Sequence, residues 1–145
     1  MSQSNPTIER LEDQISWYSN RSRYNQRMFK TLKTATVIAS VTIPLCGAAG
    51  APPFAAGILG ASIALIEIFQ QMNQYHQNWI NYRSTAEALN HEKYLFLANA
   101  GPYSRTSPTE ATALLAERIE SLISQEHARW ESAQQRTAKD QASIA

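Results

Sequence analysis

No Asp, Glu, Lys or Arg occurs between Lys33 and Glu67, although charged residues make up 17% of the chain. At that density an uncharged run of this length arises by chance only about 0.2% of the time. Residues 1–33 carry six basic and three acidic groups, residues 67–145 carry seven and nine, and the chain as a whole has a net charge of +1. A charge so close to zero excludes a broadly basic nucleic-acid binder and leaves local patches to be considered.

Gly47, Gly50, Pro52 and Pro53 cannot all lie inside one helix, so the uncharged stretch must turn over residues 47–53. After Pro53, itself well placed to start a helix, Phe54 to Ile66 is apolar on every side. The sequence therefore predicts a transmembrane helical hairpin over residues 34–72. Two spans of about 20 residues each need more chain than the uncharged run supplies. Lys30 and Lys33 can make up the difference by snorkelling, so that the first span runs from near Phe29 to about Ala48 and the second from Pro53 to about Met72.

Glu67, Gln70 and Gln71 in the second arm are costly if they face lipid and reasonable if they face protein or water. With Ser40 and Ser62 they are the candidate pore or polar transmembrane positions. Ala35/Ala39 and Gly57/Ala61 offer small residues for close helix contact. Arg21, Arg23, Arg27, Lys30 and Lys33 form a cluster with no acid among them, directly before the first arm. Such a cluster marks the cytoplasmic side of a span and suits contact with anionic headgroups. Both termini are then expected in the cytoplasm, with the lipid bilayer as the chain's first partner. The competing fold is a soluble helical bundle with a buried hairpin, which the mean hydropathy of −0.37 fits. That bundle has few helices with which to cover two arms that are apolar all round.

The flanks read as helix. Asn5-Pro6 is an N-cap followed by proline at the first helical position, and Ile8, Leu11, Ile15 and Tyr18 share a face, giving a juxtamembrane helix over 5–33. Beyond the second arm, Met72, Tyr75, Trp79, Tyr82, Leu89 and Phe96 continue a packing seam, with Lys93 at an intervening position, which predicts a cytoplasmic extension of the same helix over 73–99. Asn99-Ala-Gly101-Pro102 ends it, with Gly101 as the left-handed cap. Ser107 and Glu110 form a capping box for a further helix over 107–134, whose face is Leu115, Ile119, Leu122, Glu126 and Trp130 or Arg129. Glu117, Arg118, Glu120 and Arg129 belong to its exposed side, and the polar tail over 135–145 is expected to fray. The fold class is all-α, a single domain over 1–145: a membrane-spanning hairpin whose long helices extend into a cytoplasmic helical bundle.

Catalytic chemistry has little support. A single cysteine, Cys46, rules out an internal disulfide and a Cys-built zinc site. His76, His91 and His127 do not fall at metal-ligand spacings. There is no phosphate-binding glycine loop and no nucleophile elbow. The expectation is a protein that is not an enzyme, with no cofactor, no metal and no nucleic-acid partner. Nothing basic leads directly into an apolar core at the start of the chain, so a cleaved signal peptide is not expected.

Leu11-Glu-Asp-Gln-Ile-Ser-Trp17-Tyr18, Ile43-Pro44, Trp79-Ile-Asn-Tyr82-Arg83-Ser-Thr85, Leu89-Asn-His-Glu92, Gly101-Pro-Tyr103 and Glu126-His-Ala-Arg-Trp130 occur in an order that resembles the SLATT superfamily, in particular its bacterial two-transmembrane members of unknown function. The resemblance covers about residues 8–131. It implies a channel- or pore-like membrane effector in bacterial conflict or nucleotide-signalled defence, with a separate sensor or nucleotide-signalling protein as its trigger, while self-assembly is expected because Ser40, Ser62, Glu67, Gln70 and Gln71 need somewhere other than lipid to point. The competing class is a membrane-anchored homo-oligomeric scaffold that conducts nothing.

Overall fold

In a computed structural model the described residues are 5–144, and they form an all-α chain. Helix α1 runs Pro6–Ala48, α2 Pro53–Asn73, α3 Tyr75–Leu97 and α4 Pro108–Ile144, with a single 3-10 turn at Gly101–Tyr103. The chain divides into two compact units, Met1–Ser19 with Asn81–Ala145, and Asn20–Ile80.

The helix ends follow from local chemistry. Asn5 Oδ1 accepts from the Thr7 N–H at 3.0 Å, and Pro6 loses nothing by lacking a donor there. At the other end of α1 the Ala51 N–H reaches the Cys46 carbonyl and the Gly50 N–H the Gly47 carbonyl, with Gly50 at φ 73°. This paired arrangement stops the helix, and Pro53 starts the next. Helix α3 closes in the same way, through Ala100 N–H to Leu95 and Asn99 N–H to Phe96. Here Asn99 takes the left-handed position at φ 49°, two residues before the expected Gly101, which is itself at φ 58°. Ser107 and Glu110 make the capping box, with Ser107 N–H donating to Glu110 Oε2 at 2.9 Å. Helix α4 runs on to Ile144, past its expected end at 134.

The sequence predicts one long helix through 53–99, but the chain breaks at Gln74, which adopts φ 47° and ψ 37° and caps α2 through its N–H to the Gln70 carbonyl. No glycine or proline announces this break. It shifts the helical register, so Met72, placed in the packing seam by the sequence, is 78% exposed instead. Tyr75 and Leu89 are buried, while Trp79, Tyr82 and Phe96 are half-buried. The inward position after Leu89 belongs to Glu92, not to Lys93, whose ammonium reaches Glu12 at 2.6 Å.

In the first unit the beginning of α1 packs with α3 and α4 around Leu11, Tyr18, Ala86, Leu89, Tyr103, Ala111, Leu115 and Ile119. Leu11, Leu89 and Leu115 lose all contact with solvent. The expected face of α4 is present at Leu115, Ile119, Leu122 and Glu126. The side chains of Arg129 and Trp130 lie outside the described residues. In the second unit α1 runs antiparallel to α2 and the start of α3, as the pairs Ser22 with Trp79, Phe29 with His76 and Lys33 with Glu67 require. The α1 positions turned inward are Ser22, Asn25, Phe29, Leu32, Thr36, Ala39, Ile43 and Cys46, spaced alternately three and four apart as in a coiled-coil seam. Ala35, Gly57 and Ala61 face outward, so they do not supply the close contact expected of them.

Candidate functional site

Both arms of the hairpin present apolar side chains outward. Val37, Ile38, Val41 and Leu45 on α1 and Phe54, Ile58, Leu65, Ile68 and Phe69 on α2 are all about half exposed or more. The most apolar stretches have mean hydropathies of 1.3 and 1.6, with 6% and 0% of their residues buried. A core helix of a soluble domain hides such a surface, and these helices do not. Both are long and apolar enough to cross a membrane.

The serine hydroxyls within the arms are handled locally. Ser40 Oγ donates to the Thr36 carbonyl at 2.8 Å and Ser62 Oγ to the Ile58 carbonyl at 2.9 Å. Each hydroxyl is thus satisfied by its own helix and needs no polar lumen. Glu67 Oε1 accepts from Lys33 Nζ at 2.9 Å, with both side chains about half exposed. Gln71 is exposed, whereas Gln70 is buried with an amide nitrogen that has no hydrogen-bond partner among the described residues. The five polar candidates of the sequence are therefore not brought together on one outward face.

The basic cluster adjoins a group of aromatic rings. Lys30 Nζ stands 5.9 Å from the centre of the Trp79 ring. His76 meets Trp79 edge-on at 5.8 Å, and Phe29 packs 4.7 Å from His76. Rings and cations in such proximity are the groups that settle at a membrane–water boundary.

In the first unit a network that sequence reasoning missed holds α3, α4 and the 3-10 turn together. Arg118 Nε donates to Glu92 Oε2 at 2.8 Å, its second nitrogen reaches Glu92 Oε1, and the Tyr103 hydroxyl donates to Glu92 Oε2 at 2.8 Å. The fork from Arg118 holds the Glu92 carboxyl below its usual range. Burial, followed by the neighbouring carboxylate, pushes the Tyr103 phenol up to about 12. Arg118 is therefore a partner of a buried acid and not simply part of an exposed face. Tyr18 Oη donates to Glu126 Oε2 at 3.4 Å, and burial raises its phenol to about 12 as well. The signal available in the sequence was the three-residue step from Leu89 to Glu92, which puts an acid on a core face.

Fold and surface together define an all-α protein with two helices long and apolar enough to span a membrane. It belongs to a family of proteins of unknown function, DUF4231, whose model matches residues 13–111. Comparison with curated proteins and with solved structures finds no match.

Proposed function

We propose that this chain is a non-enzymatic integral membrane protein of the SLATT kind, whose hairpin crosses a bacterial inner membrane with both termini in the cytoplasm and which assembles with copies of itself. The outward apolar side chains on both arms carry this reading. From Lys33 to Ala48 the arm is about 22 Å long at 1.5 Å per residue. That is short of a hydrocarbon core of roughly 30 Å, so the Lys33–Glu67 pair belongs at the cytoplasmic boundary, with the lysine stems snorkelling. The cations Arg21, Arg23, Arg27 and Lys30 then lie on the headgroup side, where the positive-inside tendency favours them.

Within this reading the assembly is either a channel-like effector, as the SLATT resemblance implies, or a non-conducting scaffold. The scaffold is favoured by the pairing of Glu67 with Lys33 and by the return of Ser40 and Ser62 to their own backbones. These contacts remove the need for a shared polar axis at those three positions. A separate sensor or nucleotide-signalling protein is the partner expected to set the state of the assembly. Purified protein in planar bilayers tests the division: a scaffold gives no unitary currents at any protein density, and reproducible current steps establish the channel. Retention in the membrane pellet after alkaline carbonate supports the shared part of the proposal, and release into the supernatant overturns it.

A further inference from the structure

The five cations of the basic cluster are not equally engaged. Arg21 lies over the Tyr24 ring, Arg23 donates to Asn20, and Lys30 leans on the face of Trp79. Among the described residues only Lys33 of the five pairs with a carboxylate. The sequence has no acid between Asp13 and Glu67, so the cluster remains strongly cationic after that one neutralisation. The Trp79 ring attracts the Lys30 ammonium without removing its charge. Lys33 uses one of its three N–H donors on Glu67 and keeps two for another acceptor.

Directly beside these two lysines, Phe29, Thr34, Val37 and Ile38 line an open depression of about 390 Å³. Val37 and Ile38 are 54% and 61% exposed, so its floor is bare hydrocarbon. Two ammonium groups adjoining an apolar trough match a ligand in which an anionic group joins directly to a hydrocarbon chain. A phospholipid with a net negative headgroup has that form. A zwitterionic lipid brings its own cation, which the lysines disfavour.

We infer that this face of α1 holds one anionic phospholipid, with its phosphate between Lys30 and Lys33 and an acyl chain along Val37 and Ile38. The site rests on the membrane reading above. It differs from diffuse attraction of the whole cluster to a charged surface, because two of the five cations carry it.

Native mass spectrometry of the full-length protein, released from vesicles of equal parts phosphatidylglycerol and phosphatidylcholine, tests it. The expected result is one retained phosphatidylglycerol per chain, preferred about tenfold over phosphatidylcholine, the order of magnitude that one or two basic groups supply at an anionic headgroup. Lys30→Gln/Lys33→Gln should abolish the preference, while Arg21→Gln/Arg23→Gln should keep it. No preference in the unmodified protein, or equal loss in both double variants, overturns the site. Carbonate extraction of the same vesicles separates the failures: protein that stays inserted without a lipid preference refutes only the site, and protein that washes off refutes the membrane reading as well.

Discussion

Lys33 Nζ and Glu67 Oε1 meet at 2.9 Å across the two arms of the hairpin, joining the last charge before the uncharged stretch to the first charge after it. Both side chains are about half exposed, and pairs of that kind are worth roughly 0–1 kcal/mol in water. A double-mutant cycle of Lys33→Gln and Glu67→Gln, followed by thermal unfolding in detergent, should therefore give a coupling of about 0.2–1 kcal/mol. If reconstituted protein conducts, and Glu67→Gln lowers its preference for cations with stability unchanged, Glu67 lines a path and the pair is not its main role.

Leu89→Ala should destabilise the protein more than Trp79→Ala. Leu89 is fully buried in the first unit, and truncating such a leucine costs about 2–5 kcal/mol. Were Trp79 buried, the corresponding loss would be about 3–5 kcal/mol. Trp79 keeps part of its surface exposed, so its truncation should cost less than that full amount. Unfolding midpoints of the two variants measured side by side check the order, and the reverse order would show that Trp79 is covered in the assembled protein.

The Glu92 network predicts acid sensitivity. The folded state lowers the Glu92 carboxyl, chiefly through its hydrogen bonds from Arg118. The resulting stabilisation is therefore present above the ordinary value of about 4.3 and is lost as pH falls through the lower folded value. The unfolding midpoint should drop on acidification below that range, and Glu92→Gln should flatten the drop. Arg118→Met leaves a buried acid without its cation and should cost about 1–3 kcal/mol at neutral pH, less than for a fully buried pair because the Arg118 side chain is 43% exposed.

Gln74→Gly should be neutral or stabilising. A non-glycine residue at φ 47° costs about 1–2 kcal/mol in the left-handed region, and glycine removes that cost while keeping the cap. Gln74→Val should be clearly destabilising, because a β-branched side chain tolerates that conformation poorly. Unfolding of both variants in detergent distinguishes this break from an unstrained continuous helix, in which valine would cost less than glycine.

Local signals were legible because the chemistry that makes them is local. Asn5-Pro6, Gly50 before Pro52-Pro53, and Ser107 with Glu110 each satisfy or remove backbone donors within a few residues, and the structure has each of them. Gln74 was illegible because the apolar spacing runs across it and its residue type does not mark a left-handed turn. Contacts distant in sequence were illegible for a different reason. Glu92 with Arg118 and Tyr18 with Glu126 depend on how helices come together, and a single acid on a seam does not name its partner. Ser40 and Ser62 look like polar liabilities in a sequence. Only side-chain geometry reveals that each donates to a carbonyl four residues back.

Membrane insertion with both termini inside is tested most directly by cysteine accessibility in intact spheroplasts. In a Cys46→Ser background, Ala49→Cys puts a thiol at the turn and Ser124→Cys puts one on an exposed position of α4. A membrane-impermeant maleimide should label the turn cysteine in intact cells and the α4 cysteine only after lysis. If neither cysteine is labelled until the cells are broken, the hairpin does not cross the membrane.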